Sequence, residues 1–219
     1  MHKKSVFISR ERELILPFVE WLGSQGIKVV AKPLLQYKSV NFEWPSDKMD
    51  WIFFSSRNAV KFFFEQEIKI DCKYAAIGPA TAKELEQHVA VSFAGVDYDT
   101  QKTAEEFAKL AGDSMILFPC GNNSVRTVQK MLPPAQVMEV MCYEAVRMDS
   151  AIGRHDIYVV LSPENARVML EDLSINRQAV FFVLGESTAD ALRGQGISNV
   201  HFLPLGDSMG WARSVLTCI

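Results

Sequence analysis

The 219-residue chain lacks the signatures of a metal centre, a nucleotide site or a membrane anchor. Its four histidines (His2, His88, His155, His201) and four cysteines (Cys72, Cys120, Cys142, Cys218) are scattered, with no C-x-x-C pair and no metal-ligand spacing. Histidines placed this way are expected at the surface or in turns, and the cysteines as small buried hydrophobes in a reducing compartment. H-E-x-x-H, G-x-S-x-G, G-x-x-x-x-G-K-[ST] and G-x-G-x-x-G are all missing. Zinc-peptidase, nucleophile-elbow, P-loop and dinucleotide chemistry therefore have no sequence support, and no cofactor or metal is expected. No apolar stretch approaches the ~18 residues of a membrane span. The run behind the basic start, Val6-Phe7-Ile8, is too short for a signal-peptide core, so a soluble cytoplasmic protein is expected. A net charge of −3 lacks the basic excess of a nucleic-acid binder, so an anionic ligand would be held by local donors.

What is present is a regular alternation. Short apolar runs read as strands (Val6–Ile8, Ile27–Ala31, Trp51–Phe54, Tyr74–Ile77, Met115–Phe118, Val137–Tyr143, Ile157–Leu161, Val180–Leu184, Asn199–Leu203). Between them lie helical patterns at 14–22, 58–64, 79–85, Val125–Leu132, Ala166–Leu173, Thr188–Leu192 and Met209–Leu216. Strand followed by helix throughout predicts an α/β fold of parallel sheets covered by helices on both faces.

The alternation contains an internal repeat. Ser55-x-x-Asn58-Ala59 returns as Ser162-x-x-Asn165-Ala166, and Gly78-x-x-Thr81-Ala82-x-x-Leu85 returns as Gly185-x-x-Thr188-Ala189-x-x-Leu192. Both recur at a spacing of 107 residues (162 less 55, 185 less 78), which predicts two similar α/β domains facing each other. The repeated Ser, Thr, Asn and Gly sit where strands turn into helices. Helix N-termini present free N–H groups to anions, and parallel strands bring such turns to one sheet edge. The same residue types are also the standard caps and turn formers, and the two roles are compatible.

Ser55, Ser56, Asn58, Gly78, Thr81, Ser162, Gly185 and Thr188 are thus candidate binding residues. Gly121 and Asn122 form a polar turn after another strand, with Arg126 one turn into the expected helix and able to meet an anion at its mouth. Arg10 follows the first strand at the same kind of edge. Tyr143 is expected at the end of a long strand, 138–145, where a phenol can serve as a proton donor or as a packed amphipathic ring.

Taken in order, Asp50-Trp51-Ile52-Phe53-Phe54-Ser55-Ser56, Ala76-Ile77-Gly78-x-x-Thr81-Ala82, Phe118-Pro119-Cys120-Gly121-Asn122, Val140-Met141-Cys142-Tyr143, Leu161-Ser162-Pro163 and Leu184-Gly185-x-x-Thr188 resemble the uroporphyrinogen-III synthase family over nearly the whole chain. The resemblance implies two domains, 1–35 with 146–219 and 36–145, joined by two antiparallel connecting strands, with a cleft between the domains. It implies a monomeric, cofactor-free lyase that closes hydroxymethylbilane, a linear tetrapyrrole polycarboxylate, into a ring with the last pyrrole inverted. By this resemblance Tyr143 matches the family's general acid, and Thr81, Ser162 and Thr188 match cleft positions. Arg10 matches an early family arginine, although Glu11 stands where proline is usual, and Arg126 is offset by one residue from the family spacing. The competing interpretations are a non-catalytic two-lobed module for a small anionic ligand and a receiver- or flavodoxin-like interaction protein. The last is disfavoured because the strand ends offer Ser, Gly and Tyr in place of an acidic cluster.

Overall fold

The computed structural model describes residues 4–45, 48–67, 70–96, 99–149 and 151–218; His2 lies outside them. The chain folds as two compact units, residues 1–36 with 147–219 and residues 37–146.

The first unit holds β1 (Ser5–Ile8), α1 (Leu16–Ser24), β2 (Lys28–Ala31) and the first residues of β3 (Leu35–Ser39). The second unit holds the rest of β3, then β4 (Trp51–Phe54), α2 (Arg57–Phe64), β5 (Lys73–Ala76), α3 (Pro79–Leu85), β6 (Phe93–Ala94), α4 (Thr100–Ala111), β7 (Ile116–Gly121) and all but the last residue of β8 (Val137–Arg147). The chain then completes the first unit with β9 (Ile157–Val160), α5 (Pro163–Leu170), β10 (Val180–Val183), α6 (Glu186–Arg193), β11 (Val200–Phe202) and α7 (Ser208–Leu216).

In the first unit the strands run in the order β11-β10-β9-β1-β2, and their registered pairs are parallel. Val6, Ile8, Ile157, Val159 and Phe182 pack with Phe18, Leu22, Trp211 and Val215, so α1 and α7 cover one face. The alternate residues Phe7, Tyr158 and Phe181 form a ring cluster on the other face, with Tyr158 stacked on Phe181 and tilted against Phe7. Four-residue strands buried on both faces are what an uninterrupted apolar run encodes.

In the second unit the order is β3-β8-β7-β4-β5-β6. Val40 N–H donates to the Cys142 carbonyl and Met148 N–H to the Leu34 carbonyl. Numbers rise on β3 as they fall on β8, so that edge pair is antiparallel, while β8, β7, β4, β5 and β6 are parallel. Ile52 and Phe54 pack against α2 and α3, whereas Trp51, Phe53 and Phe118 pack against Phe107 of α4 and against Val128 and Leu132.

The order reverses between β1 and β9 in one sheet and between β4 and β7 in the other. A crevice opens at the carboxyl ends of strands at such a switch point, because the flanking helices leave toward opposite faces.

Five expectations are corrected. Residues 125–132 are not a helix: Arg126 has φ of +61°, and only Gln129–Met131 form a 3-10 turn. Val128 and Leu132 supplied helical spacing because both are buried, but Val125 is exposed. Tyr143 lies inside β8, not at its end. His155 is buried and Cys218 is exposed, against the expectation for each. The repeat also needs two offsets. Trp51–Phe54 matches Ile157–Val160, and the capping serines are Ser56 and Ser162, 106 apart (162 less 56); Gly78 and Gly185 keep 107.

Candidate functional site

Tyr143 is brought to the switch point of the second unit by a β-bulge. Cys120 pairs with Met141, but the next residue, Gly121, pairs with Tyr143, so Cys142 is the extra residue. A bulge returns the following side chain to the face it would otherwise leave. Val140, Cys142 and Tyr143 accordingly all join the cluster beneath α2. The Tyr143 ring stacks on Phe62 at 5.5 Å and meets Tyr37 edge-on at 5.9 Å. On its remaining flank it occupies the space that a side chain at Gly121 would need.

Ser56 receives the phenol. It leaves β4 in an extended conformation and caps α2, its Oγ accepting the Ala59 N–H at 3.0 Å. The same Oγ lies 3.3 Å from the Tyr143 hydroxyl. Burial above all pushes the phenol pKa upward, and the hydroxyls of Ser56 and Ser124 pull against that shift. The balance keeps the proton on the oxygen across neutral pH, the state a proton donor requires.

The turn after β7 supports this arrangement. Gly121 N–H donates to Ser124 Oγ at 3.0 Å, and Ser124 N–H returns to the Gly121 carbonyl at 3.3 Å. Asn122 clasps β8 by accepting the Ala145 N–H at 3.0 Å and donating to its carbonyl at 3.4 Å. Both ends of the Asn122 amide are therefore engaged within the protein. Ser124 was not singled out by any sequence motif. Its signal is local: a serine three residues after a strand-end glycine can close the turn with its hydroxyl.

The other candidates of this unit lie along the same carboxyl edge. Ser55 is exposed and Asn58 half-buried in the first turn of α2. Gly78 caps α3 after β5, and Thr81, buried in the first turn, donates its N–H to the Gly78 carbonyl at 3.1 Å. Arg126 is drawn away from an anion-binding role. Its Nε donates to both oxygens of Glu139 at 2.9 and 3.0 Å, and Gln129 adds a bond to the same carboxylate. The Glu139 partner raises the guanidinium pKa.

The first unit repeats the edge without the tyrosine. Arg10, half-buried, follows β1, and among the described residues it has no carboxylate partner within ion-pair distance. Ser162 follows β9 across the switch point and caps α5, its Oγ accepting the Asn165 N–H at 3.2 Å. Gly185 caps α6 after β10, and Thr188 is buried one turn in. Gly185 is extended, and nothing lies within 4 Å of where its Cβ would be, so neither backbone nor packing demands glycine there.

No group of three or more potential metal ligands occurs among the described residues, and none of their helices is long and apolar enough to cross a membrane. Among the described residues, the edge of the second unit offers hydroxyls, backbone amides and a protonated phenol, and the edge of the first offers hydroxyls, backbone amides and Arg10. These can hold carboxylates and deliver a proton.

Comparison with known proteins agrees with this inventory. The profile of the family described as uroporphyrinogen-III synthase HemD matches residues 17–202. A uroporphyrinogen-III synthase of Chlorobaculum parvum is 23% identical over 92% of this chain and 93% of its own length. Among solved structures, a mutant uroporphyrinogen III synthase of Thermus thermophilus superposes with a TM-score of 0.69 at 13% identity, covering 98% of each chain. The uroporphyrinogen-III synthetase of Helicobacter pylori gives 0.69 at 16% identity, covering 99% of this chain and 100% of its own. At such identities the structures speak for the fold alone, but the profile spans most of the sequence, and the chain belongs to the uroporphyrinogen-III synthase family.

Proposed function

We propose that the protein converts hydroxymethylbilane to uroporphyrinogen III, with Tyr143 as the proton donor. The observation that carries this assignment is the protonated phenol fixed on Ser56 at a sheet switch point, in a chain of this family. The terminal hydroxyl of the bilane leaves as water once it gains a proton, and the pyrrole left behind is a resonance-stabilised azafulvene cation. Attack by the substituted carbon of the last ring forms a spiro intermediate. Fragmentation and re-closure then invert that ring, and loss of a proton restores aromaticity. Most of this chemistry belongs to the substrate. The protein's tasks are to hold the two chain ends together and to protonate one oxygen.

Ser55, Asn58, Gly78 and Thr81 in one unit, and Arg10, Ser162, Gly185 and Thr188 in the other, are proposed as carboxylate donors, whereas the Gly121 N–H is already given to Ser124. Helix-start amides serve a polyanion without a high net charge, which suits a chain of −3. Asn122 supports β8 in this scheme. Arg126 stands apart, since a substrate carboxylate would first have to displace Glu139. The protein is proposed to act as a cytoplasmic monomer without a cofactor.

The test is isomer analysis. Incubated with hydroxymethylbilane, the protein should yield uroporphyrinogen III; formation of the spontaneous isomer I alone would leave only a binding module.

A further inference from the structure

We infer that Asn122 is a positioning residue for Tyr143: its side-chain amide pins β8 in the bulged register that brings the phenol to Ser56. The inference rests on Tyr143 being the proton donor and gives the turn after β7 the task of keeping that donor on the right face of the sheet.

Side chains alternate across a strand, so a one-residue change of register carries each of them to the opposite face. In β8, Val140 and Cys142 face the cluster beneath α2, and strict alternation would send Tyr143 to the other side. Tyr143 nevertheless joins that cluster. The cause is the shift at Gly121, which pairs with Tyr143 although Cys120 pairs with Met141. Without the bulge Gly121 would face Cys142, and the phenol would leave its place 3.3 Å from Ser56 Oγ.

A bulge interrupts the ladder, so the strand beyond it needs its own tie. β7 ends at Gly121, and the next side chain takes over from the backbone. Ala145 N–H donates to Asn122 Oδ1 at 3.0 Å, and Asn122 Nδ2 donates to the Ala145 carbonyl at 3.4 Å. One amide thus engages both main-chain groups of a residue two positions beyond Tyr143, as the peptides of a neighbouring strand would. The Cys120–Met141 pair bounds the bulge on one side, and the Asn122–Ala145 clasp bounds it on the other. On its far edge β8 meets β3, where Val40 N–H donates to the Cys142 carbonyl; that bond does not depend on which residue faces Gly121. Asn122 also follows Gly121 directly, and a Cβ on Gly121 would lie 2.5 Å from the Tyr143 ring. The clasp therefore fixes the strand that carries the ring and the backbone that walls it.

A four-protein cycle tests the inference: the wild type, Asn122→Ala, Tyr143→Phe and the double variant, assayed for kcat and KM in isomer III formation. Asn122→Ala should lower kcat about tenfold, the scale of one lost hydrogen bond, with KM within twofold. In the Tyr143→Phe background it should cause no further loss. The ring NMR resonances of Tyr143, identified by their absence in Tyr143→Phe and shifted by the stack on Phe62, should move in Asn122→Ala. A raised KM at constant kcat would make Asn122 a carboxylate ligand and overturn the inference. Equal losses in both backgrounds, or unmoved resonances, would overturn it too. Should Asn122→Ala fold poorly, Asn122→Asp carries the test, because it keeps the acceptor for the Ala145 N–H and lacks the donor. Its kcat loss should be smaller and confined to proteins that retain Tyr143; the same loss without Tyr143 would again overturn the inference. If Tyr143→Phe itself keeps full turnover, the proton-donor assignment falls and this inference falls with it. If Tyr143→Phe is impaired and Asn122→Ala is not, only the role of Asn122 is lost.

Discussion

Gly121 and Tyr143 share one volume: a methyl group built on Gly121 would stand 2.5 Å from two ring carbons of Tyr143 and 2.9 Å from its oxygen. The bulge at Cys142 creates this closeness, because it pairs Gly121 with the residue that would otherwise face away. The glycine is required by its neighbour and not by its backbone, since no positive φ is recorded there.

Gly121→Ala should therefore push the ring off Ser56. Overpacking of this kind typically costs ~1–3 kcal/mol. The variant is expected to melt several degrees lower and to lose at least tenfold in kcat, measured by thermal unfolding and by isomer III formation. An unchanged kcat would show that the ring position does not matter to the reaction.

Gly185→Ala is the contrasting case. An extended glycine with open space around it gains from a side chain by restricting the unfolded chain, by roughly 0.4–1 kcal/mol. The melting temperature should hold or rise. If the space is kept for a substrate carboxylate at the start of α6, KM should rise severalfold while kcat stays within twofold. A stabilised variant with unchanged KM would remove Gly185 from the binding set.

The central strands β1, β4, β5, β7, β9 and β10 were legible because each is a short apolar run with most of its residues buried, whereas β3 is mostly exposed and β6 is two residues long, so neither offers such a run; the serine and glycine turns were legible because capping chemistry restricts residue type. α4 was not, since its buried face carries Thr103, Ala104 and Ala111 with Phe107 as the lone large residue. Its clearer mark was Asp99, whose carboxylate caps the helix by accepting the Lys102 N–H. The false helix at 125–132 arose from Val128 and Leu132, whose separation of four mimics a helical stripe. Tyr143 was singled out as a candidate, but its register was not legible, because a bulge is a property of two strands and only one of them is visible in a local pattern. Ser124 was missed for a different reason: a serine that closes a turn on the glycine three residues before it looks, in sequence, like any other turn residue.

Acid should weaken the first unit through His155. Its Nε2 bonds the Ile152 carbonyl at 2.9 Å, while Nδ1 is enclosed with no hydrogen-bond partner, between the rings of Phe7 and Tyr158. Burial, aided by Lys28 and Lys32, depresses the pKa from its ordinary 6.5 against the opposing pull of the Ile152 carbonyl and Asp156. A depressed folded pKa gives stability that is complete above 6.5 and drains away as pH falls from there toward the lowered value. Asp172, held at about 2 by Ser174, stays ionised through that window. The melting temperature should fall between about pH 7 and 5, and His155→Gln, which cannot protonate, should flatten that slope. An equally steep slope in the variant would assign the acid sensitivity elsewhere.

Tyr143→Phe keeps the stack on Phe62 and removes only the hydroxyl, so stability should change little. General-acid groups contribute about 10²–10⁴ in rate, and kcat should fall within that range with KM nearly constant. Because burial raises the phenol pKa, wild-type activity should show no alkaline decline from Tyr143 before its ordinary value of 10.0 is passed. A decline near neutrality that disappears in Tyr143→Phe would contradict the raised pKa.

Ser56 and Ser162 provide an internal control, since both cap a helix through the same bond to the N–H three residues on, at 3.0 and 3.2 Å. Loss of such a cap costs about 1 kcal/mol, so Ser56→Ala and Ser162→Ala should lose similar stability. Only Ser56 also touches a phenol. Ser56→Ala should therefore lower kcat, whereas Ser162→Ala should act on KM and leave kcat within twofold. Ser56→Thr, which keeps both the cap and the hydroxyl, should recover kcat and melting temperature together. Equal kcat losses in the two alanine variants would trace the defect to the helix starts and away from the proton donor.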